Sequence, residues 1–324
     1  MKAFITLLAL ATCLLAKEAP YTPTSSDAKV TTKLTSFSYN GREVPLKIYF
    51  PAKKKAAPLI LLSHGLGGSR EVGAYLGTRW ANAGYVVVAM QHIGSDRSVW
   101  QNVPTLQRLA AITKAASVKS YIDRTKDVSA TLDQLEKWNK QTGHPLAQRM
   151  DLENIGIAGH SFGALTTQAL VGQTYGKLGA LFVDKRIDAG FAMSPGIQNR
   201  TTPITSFSKI SVPMLLMTGT MDQNFITKAP PESRLEVFKN LSVLNEESQT
   251  RHYQLVFKDA EHGAFSDRPL PGEQKQNPKH HQTIKTISTA FWDSALKKNA
   301  QASNWLNGKS PTKELEKGDT WAKK

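Results

Sequence analysis

Ile155-Gly156-Ile157-Ala158-Gly159-His160-Ser161-Phe162-Gly163-Ala164-Leu165-Thr166-Thr167-Gln168-Ala169-Leu170 runs from a short apolar strand through a glycine-flanked serine into a good helix start. Gly-x-Ser-x-Gly at 159–163 puts a serine in a sharp strand-to-helix turn with a strained backbone. The flanking positions must be small, because the turn brings strand and helix backbones together. Chance produces the five-residue motif often enough that it is only moderately specific alone. The strand before it and the helix after it supply the context it needs. The structural alternative is an ordinary glycine-rich turn.

Outward from this turn the chain alternates strand and helix. Leu59-Ile60-Leu61-Leu62 and Tyr85-Val86-Val87-Val88-Ala89-Met90 are continuous apolar runs, as strands buried on both faces should be. A helix over 71–83 joins them, making the strand–helix–strand unit of a parallel sheet. Further strands are expected at 35–40 and 43–50 around a Gly41-Arg42 turn, and at 187–193, 214–218 and 253–257. Helices are expected at 105–116, 127–139, 231–241 and 283–298. One α/β domain, a mostly parallel twisted sheet flanked by helices, accounts for 34–306. Residues 17–33 read as a polar lead-in and 307–324 as a polar, peripheral tail.

A serine hydroxyl is a weak nucleophile until a base takes its proton, and the base should be a histidine oriented by a carboxylate, in chain order Ser, Asp/Glu, His. His252, His262, His280 and His281 follow Ser161. His262, in Asp259-Ala260-Glu261-His262-Gly263, directly follows the last expected strand and so lies at the carboxyl edge of the sheet, where ligands bind in open α/β folds. His252 opens that strand at the opposite edge, and His280 and His281 read as exposed residues starting a polar helix. Asp222 follows the apolar run 214–218 through a turn and is the best acid. Asp188, Asp259 and Glu261 are the alternatives.

Acyl transfer also needs N–H donors at the developing oxyanion, each worth about 3 kcal/mol. Phe162, after the nucleophile, should give one. The other should come from Ser63-His64-Gly65-Leu66-Gly67-Gly68-Ser69-Arg70, with Leu66 first and Gly65 next. A phosphate loop fails here for want of a following Gly-Lys-Ser/Thr, and the glycine spacing fits no dinucleotide fingerprint. Gln91 and His92 should line the site mouth and Trp100 should wall the pocket, or else all three pack within loops. No metal or cofactor is implied.

The 324 residues are 40% hydrophobic and 21% charged, an ordinary globular composition. Met1-Lys2 followed by an apolar stretch to Ala16 reads as a signal peptide over 1–16, shorter than the ~20 apolar residues of a membrane span. The expectation is an exported protein without a stable membrane span; a faint lipobox around Cys13 is the minor alternative, giving a lipid-anchored form. Cys13 is the single cysteine, so processing leaves no thiol nucleophile. Lys+Arg 41 against Asp+Glu 26 gives a charge of +15. No nucleic-acid motif accompanies it, so it reads as a basic surface.

Ser-His-Gly-Leu-Gly-Gly-Ser-Arg and Gly-Tyr-Val-Val-Val-Ala-Met-Gln-His-Ile-Gly-Ser-Asp, with Gly-His-Ser-Phe-Gly, resemble the predicted dienelactone hydrolase group of the α/β-hydrolase superfamily. That group is similar to platelet-activating-factor acetylhydrolases and bacterial polyester hydrolases, and the resemblance spans about residues 35–300. It implies a metal-free serine carboxylic ester hydrolase, with the pattern falling on Ser161, Asp222, His262, Leu66 and Phe162. True dienelactone hydrolases use a cysteine nucleophile, so that substrate does not transfer. The acetylhydrolases place their acid after an earlier strand, at a position matching Ser194-Pro195, where no carboxylate stands here. The expected substrate is a small-molecule or polymeric ester. A lipase, a polyester hydrolase or an acetylhydrolase of lipid-like substrates is the nearest alternative. A non-catalytic binding protein on the same fold is the alternative of another class.

Overall fold

The continuous apolar runs form the centre of a nine-stranded sheet in the order β1-β2-β4-β3-β5-β6-β7-β8-β9. A computed structural model describes residues 21–23, 29–197, 204–244, 250–267, 269 and 272–324. The expected signal peptide over 1–16, with Cys13, lies outside the described residues. The strands are β1 Thr31–Tyr39, β2 Arg42–Phe50, β3 Ala57–Ser63, β4 Val86–Met90, β5 Met150–His160, β6 Ala189–Met193, β7 Met214–Gly219, β8 Tyr253–Phe257 and β9 Thr320–Lys323. The α-helices are α1 Ala74–Asn82, α2 Ser98–Gln101, α3 Arg108–Ala115, α4 Val118–Lys140, α5 Phe162–Leu170, α6 Glu236–Asn240, α7 Pro278–Ala295 and α8 Ala300–Asn307.

Strands β3 to β8 pair in parallel; β1, β2 and β9 pair antiparallel at the two edges. Alternation along each strand splits the core into two layers. Leu59 and Leu61 of β3, with Val86 and Val88 of β4, meet Val128, Leu132 and Leu135 of α4. Ile60 and Leu62, with Val87 and Ala89, meet Trp80 of α1 and Ile284, Ile287 and Trp292 of α7. Large side chains buried this way contribute about 1.5–3 kcal/mol each. With helices on both faces and the serine turn after β5, this is the α/β-hydrolase fold.

Three expectations need correction. The hairpin turn lies at Asn40-Gly41, one residue earlier than Gly41-Arg42, with φ of 47° and 74°. A two-residue hairpin turn of this hand needs positive φ at both positions, which Asn and Gly accept. Helix α4 begins at Val118, well before 127. Ser117 caps it, accepting from the Ser120 amide at 3.1 Å, and its first turns bury Tyr121, Arg124 and Thr125, so the apolar period is masked there.

The region 307–324 is not peripheral: it supplies β9, paired with β8. Trp321 stacks on Tyr253 at 5.3 Å, and His252 and Lys324 exchange backbone hydrogen bonds at 2.9 and 3.0 Å. The lead-in is also tied down in part, since Tyr21 donates to Asp293 at 2.7 Å.

Candidate active site

Ser161 sits between β5 and α5 with φ 57° and ψ −115°, a conformation costly for a residue with a Cβ. Its neighbours allow no side chain. A Cβ on Gly159 would fall 2.1 Å from the Gly163 carbonyl oxygen, and one on Gly163 would fall 2.0 Å from that of Ser63. The motif's small residues are therefore a steric requirement of packing α5 onto β3 and β5.

The turn aims the Ser161 hydroxyl at the loop after β8. His262 Nε2 lies 2.8 Å from Ser161 Oγ, and His262 Nδ1 lies 2.7 Å from Asp222 Oδ1. Asp222 is fully buried at the end of β7, and its other oxygen accepts from Thr218 Oγ1 at 2.8 Å. Burial pushes this carboxyl up, but the His262 charge and hydrogen bond, together with Arg234, outweigh burial and hold it well below the carboxylate range. A carboxylate accepts only, so Nδ1 carries the proton and Nε2 is left to accept from the serine.

His160 backs the same imidazole. Its Nε2–H donates to the His262 carbonyl at 3.0 Å, and the rings lie 4.7 Å apart. Burial and the His262 charge draw His160 down to about 3, so it is neutral.

Phe162 is the first residue of α5, and the first amide of a helix has no intrahelical acceptor. The loop after β3 faces it: a Cβ on Gly65 would lie 3.4 Å from Ser161 Cβ. In that loop the amides of Gly67 and Gly68 are spent on the carbonyls of Ser95 and Gly65, at 2.9 and 3.0 Å. Leu66 and Gly65 remain as loop donors. Trp100 braces the loop, donating from its indole to the Gly67 carbonyl at 2.7 Å.

Gln91 and His92 do not stand together at the mouth. Gln91 donates to Asp96 at 2.6 Å. His92 is fully buried behind the loop, between Ser63 Oγ at 3.0 Å and Asp127 at 3.0 Å. Burial and then the Arg124 charge draw it down to about 4, so its Nδ1–H donates to Asp127 and its Nε2 accepts from Ser63. A histidine just after a strand end is expected to face substrate; β4 does end at Met90, but the His92 ring is buried against Asp127 of α4 instead.

The alternatives for base and acid sit elsewhere. His252 is buried at the opposite end of β8. Asp188 accepts from the Ile155 amide at 2.8 Å. His280 is buried rather than exposed, with its ring 4.6 Å from that of Phe257, and His281 stacks on Tyr75 at 4.3 Å. Helix α7 closes over a sheet face, and its polar start packs with the rest.

Sequence reasoning missed two buried arginines. Arg124 of α4 is fully buried. It donates from Nη1 to the His64 carbonyl at 2.9 Å, with a second, shorter bond from Nη2, and its guanidinium lies 4.7 Å from the Phe162 ring. One cation thus touches both the loop after β3 and the first residue of α5. Its signal was available: 124, 128, 132 and 135 share one helix face. Arg234, beside Asp222, had no such signal. Among the described residues, no cluster of three or more His, Cys, Asp or Glu is arranged to hold a metal.

The family model described as platelet-activating factor acetylhydrolase, isoform II, matches residues 29–104, from just before β1 through the loop after β3 and on past Trp100. The match stops short of Ser161, Asp222 and His262. The platelet-activating factor acetylhydrolase of Cavia porcellus is 24% identical over 189 residues, covering 50% of this chain and 41% of that protein. The chain thus spans less than half the length of this curated relative. It is similar to platelet-activating factor acetylhydrolases in the part that builds the first strands and one wall of the site.

Proposed function

We propose that this protein is a serine carboxylic ester hydrolase working through an acyl-enzyme. The observation that carries the reading is the continuous chain from Ser161 Oγ through His262, at 2.8 Å and 2.7 Å, to Asp222. His262 takes the hydroxyl proton as Ser161 attacks the ester carbonyl. Phe162 and Leu66 amides receive the oxyanion. The same proton passes to the departing alkoxide, leaving an acyl-serine and an alcohol. A water, deprotonated by His262, then releases the acid and returns the proton to Ser161.

An apolar ester is favoured, in line with the likeness to acetylhydrolases. Met221, Phe225 and Ile226 are 44%, 43% and 38% exposed on the loop that follows β7. The Phe225 ring meets His262 edge-on at 5.7 Å. These side chains offer an apolar ledge beside the base. Export follows from the reading of residues 1–16. Among the described residues no helix is long and apolar enough to cross a membrane.

The test is Ser161→Ala against a short p-nitrophenyl ester. Hydrolysis should vanish with the circular dichroism spectrum unchanged. Undiminished turnover would contradict the reading.

A further inference from the structure

A buried cation presses on the acid side of the proposed triad. Arg234 lies in the 3-10 turn Pro231–Leu235 and is 4% exposed. Its Nη2 is 3.3 Å from Asp222 Oδ1 and 3.3 Å from His262 Nδ1. Its Nε donates to the Asp222 backbone carbonyl at 3.2 Å. Its Nη1 reaches the carbonyls of Ser194 and Pro195 at 3.2 and 3.3 Å.

The contact with His262 cannot be an ordinary hydrogen bond. Nδ1 already spends its proton on Asp222, and a guanidinium has no acceptor. What remains is a fixed positive charge against the ring. A protonated imidazole there would gain from Asp222 and lose to Arg234. Inside a protein, opposite charges at this range favour ionisation and like charges oppose it.

We propose that Arg234 is a positioning residue that sets the basicity of His262, sharing the Asp222 carboxylate so that the imidazole stays neutral, and able to act as base, at a lower pH than an isolated Asp–His pair would allow. The inference rests on the triad reading of the same site. Arg234 does not touch the reacting atoms; it acts through Asp222 and His262.

The other groups facing His262 leave this role open to Arg234. Ser161 Oγ and the edge of Phe225 are uncharged. His160, from the end of β5, is held neutral by burial and by His262. Glu273 accepts from the Gly263 amide at 3.0 Å and Glu261 accepts from the Gln274 amide at 2.7 Å. Neither glutamate brings a positive charge to the ring, so neither supplies the effect assigned to Arg234. Burial pulls Arg234 itself down while Asp222 supports its charge.

The experiment follows the pH dependence of two rates: inactivation by a fluorophosphonate, and kcat/KM for a p-nitrophenyl ester. Wild type is compared with Arg234→Gln, Arg234→Met and Arg234→Lys. Removing the charge should move the acid-limb midpoint up by about one pH unit or more. Arg234→Lys keeps the charge but loses most of the carbonyl bonds. It should hold the wild-type midpoint while its melting temperature falls, which keeps the test alive if Gln and Met do not fold. Folded Gln or Met variants with an unmoved midpoint and a lower plateau would overturn the proposal, as would a raised midpoint in Lys. If wild type itself fails to label, the triad reading falls with it. Intact labelling with an unmoved midpoint sinks the Arg234 role alone.

Discussion

Gly163 has no room for a side chain against Ser63: a Cβ on the helix residue would stand 2.0 Å from the strand carbonyl oxygen. The obstacle is backbone, which cannot swing away as a flexible side chain can. Gly163→Ala should therefore shift α5 off β3, carrying the Phe162 amide with it. Overpacking of this kind costs ~1–3 kcal/mol. A lower melting temperature with at least a tenfold loss of kcat is expected; an unaltered enzyme would show that the turn has slack.

Asp222→Asn removes the acceptor that fixes the His262 tautomer. A comparable change in a serine protease lowers kcat by about 10⁴, and a loss of 10³-fold or more is expected here. The Thr218 bond to the remaining oxygen should keep the loop folded. A loss below tenfold would return the role of acid to another carboxylate.

Arg124→Met should lower kcat more than it raises KM. Without the guanidinium the His64 carbonyl loses two bonds and the Phe162 ring loses its partner. Each oxyanion donor is worth about 10²–10³ in rate, so partial misplacement should cost at least tenfold. Buried Asp127 would also lose a neighbouring cation, so the melting temperature should drop. A KM effect alone would mean that Arg124 serves binding rather than the oxyanion.

Buried histidines, among them His64, His92, His160 and His252, set the acid limit of stability. Burial lowers His92 and His252 to about 4 and His160 to about 3, from 6.5. Between these values and 6.5 the unfolded chain binds protons that the folded chain refuses. Stability therefore rises with pH across that window and is lost on acidification from about pH 6.5 towards pH 4. Each histidine contributes up to about 1.4 kcal/mol per pH unit there. Urea midpoints from pH 7.5 to 4.5 should fall steadily; a flat or rising midpoint would mean that these rings are charged in the fold.

Deleting residues 309–324 should destabilise the protein, because β9 covers the edge of β8 and β8 leads into the His262 loop. A melting temperature several degrees lower, with reduced activity, is expected. An unaffected truncation would return this segment to the role of a loose tail.

The central strands were legible because burial on both faces writes itself as unbroken apolar runs. The serine turn was legible because close backbone approach admits only small residues at 159 and 163. His262 and Asp222 followed from chain order and strand ends. What stayed hidden was polar and long-range. The Arg234 cradle is assembled from the ends of two strands and a turn distant in sequence. His92 reads like a pocket residue until its Asp127 partner on α4 is known. The strand β9 is only four residues long, Thr-Trp-Ala-Lys at 320–323, too short for a hydrophobic pattern to announce it.

The most direct measurement is reaction with a fluorophosphonate followed by peptide mass spectrometry. The account predicts one phosphonyl adduct, on Ser161, absent in Ser161→Ala and formed much more slowly in His262→Ala. An unlabelled wild-type protein, or an adduct on another residue with Ser161 untouched, would contradict it.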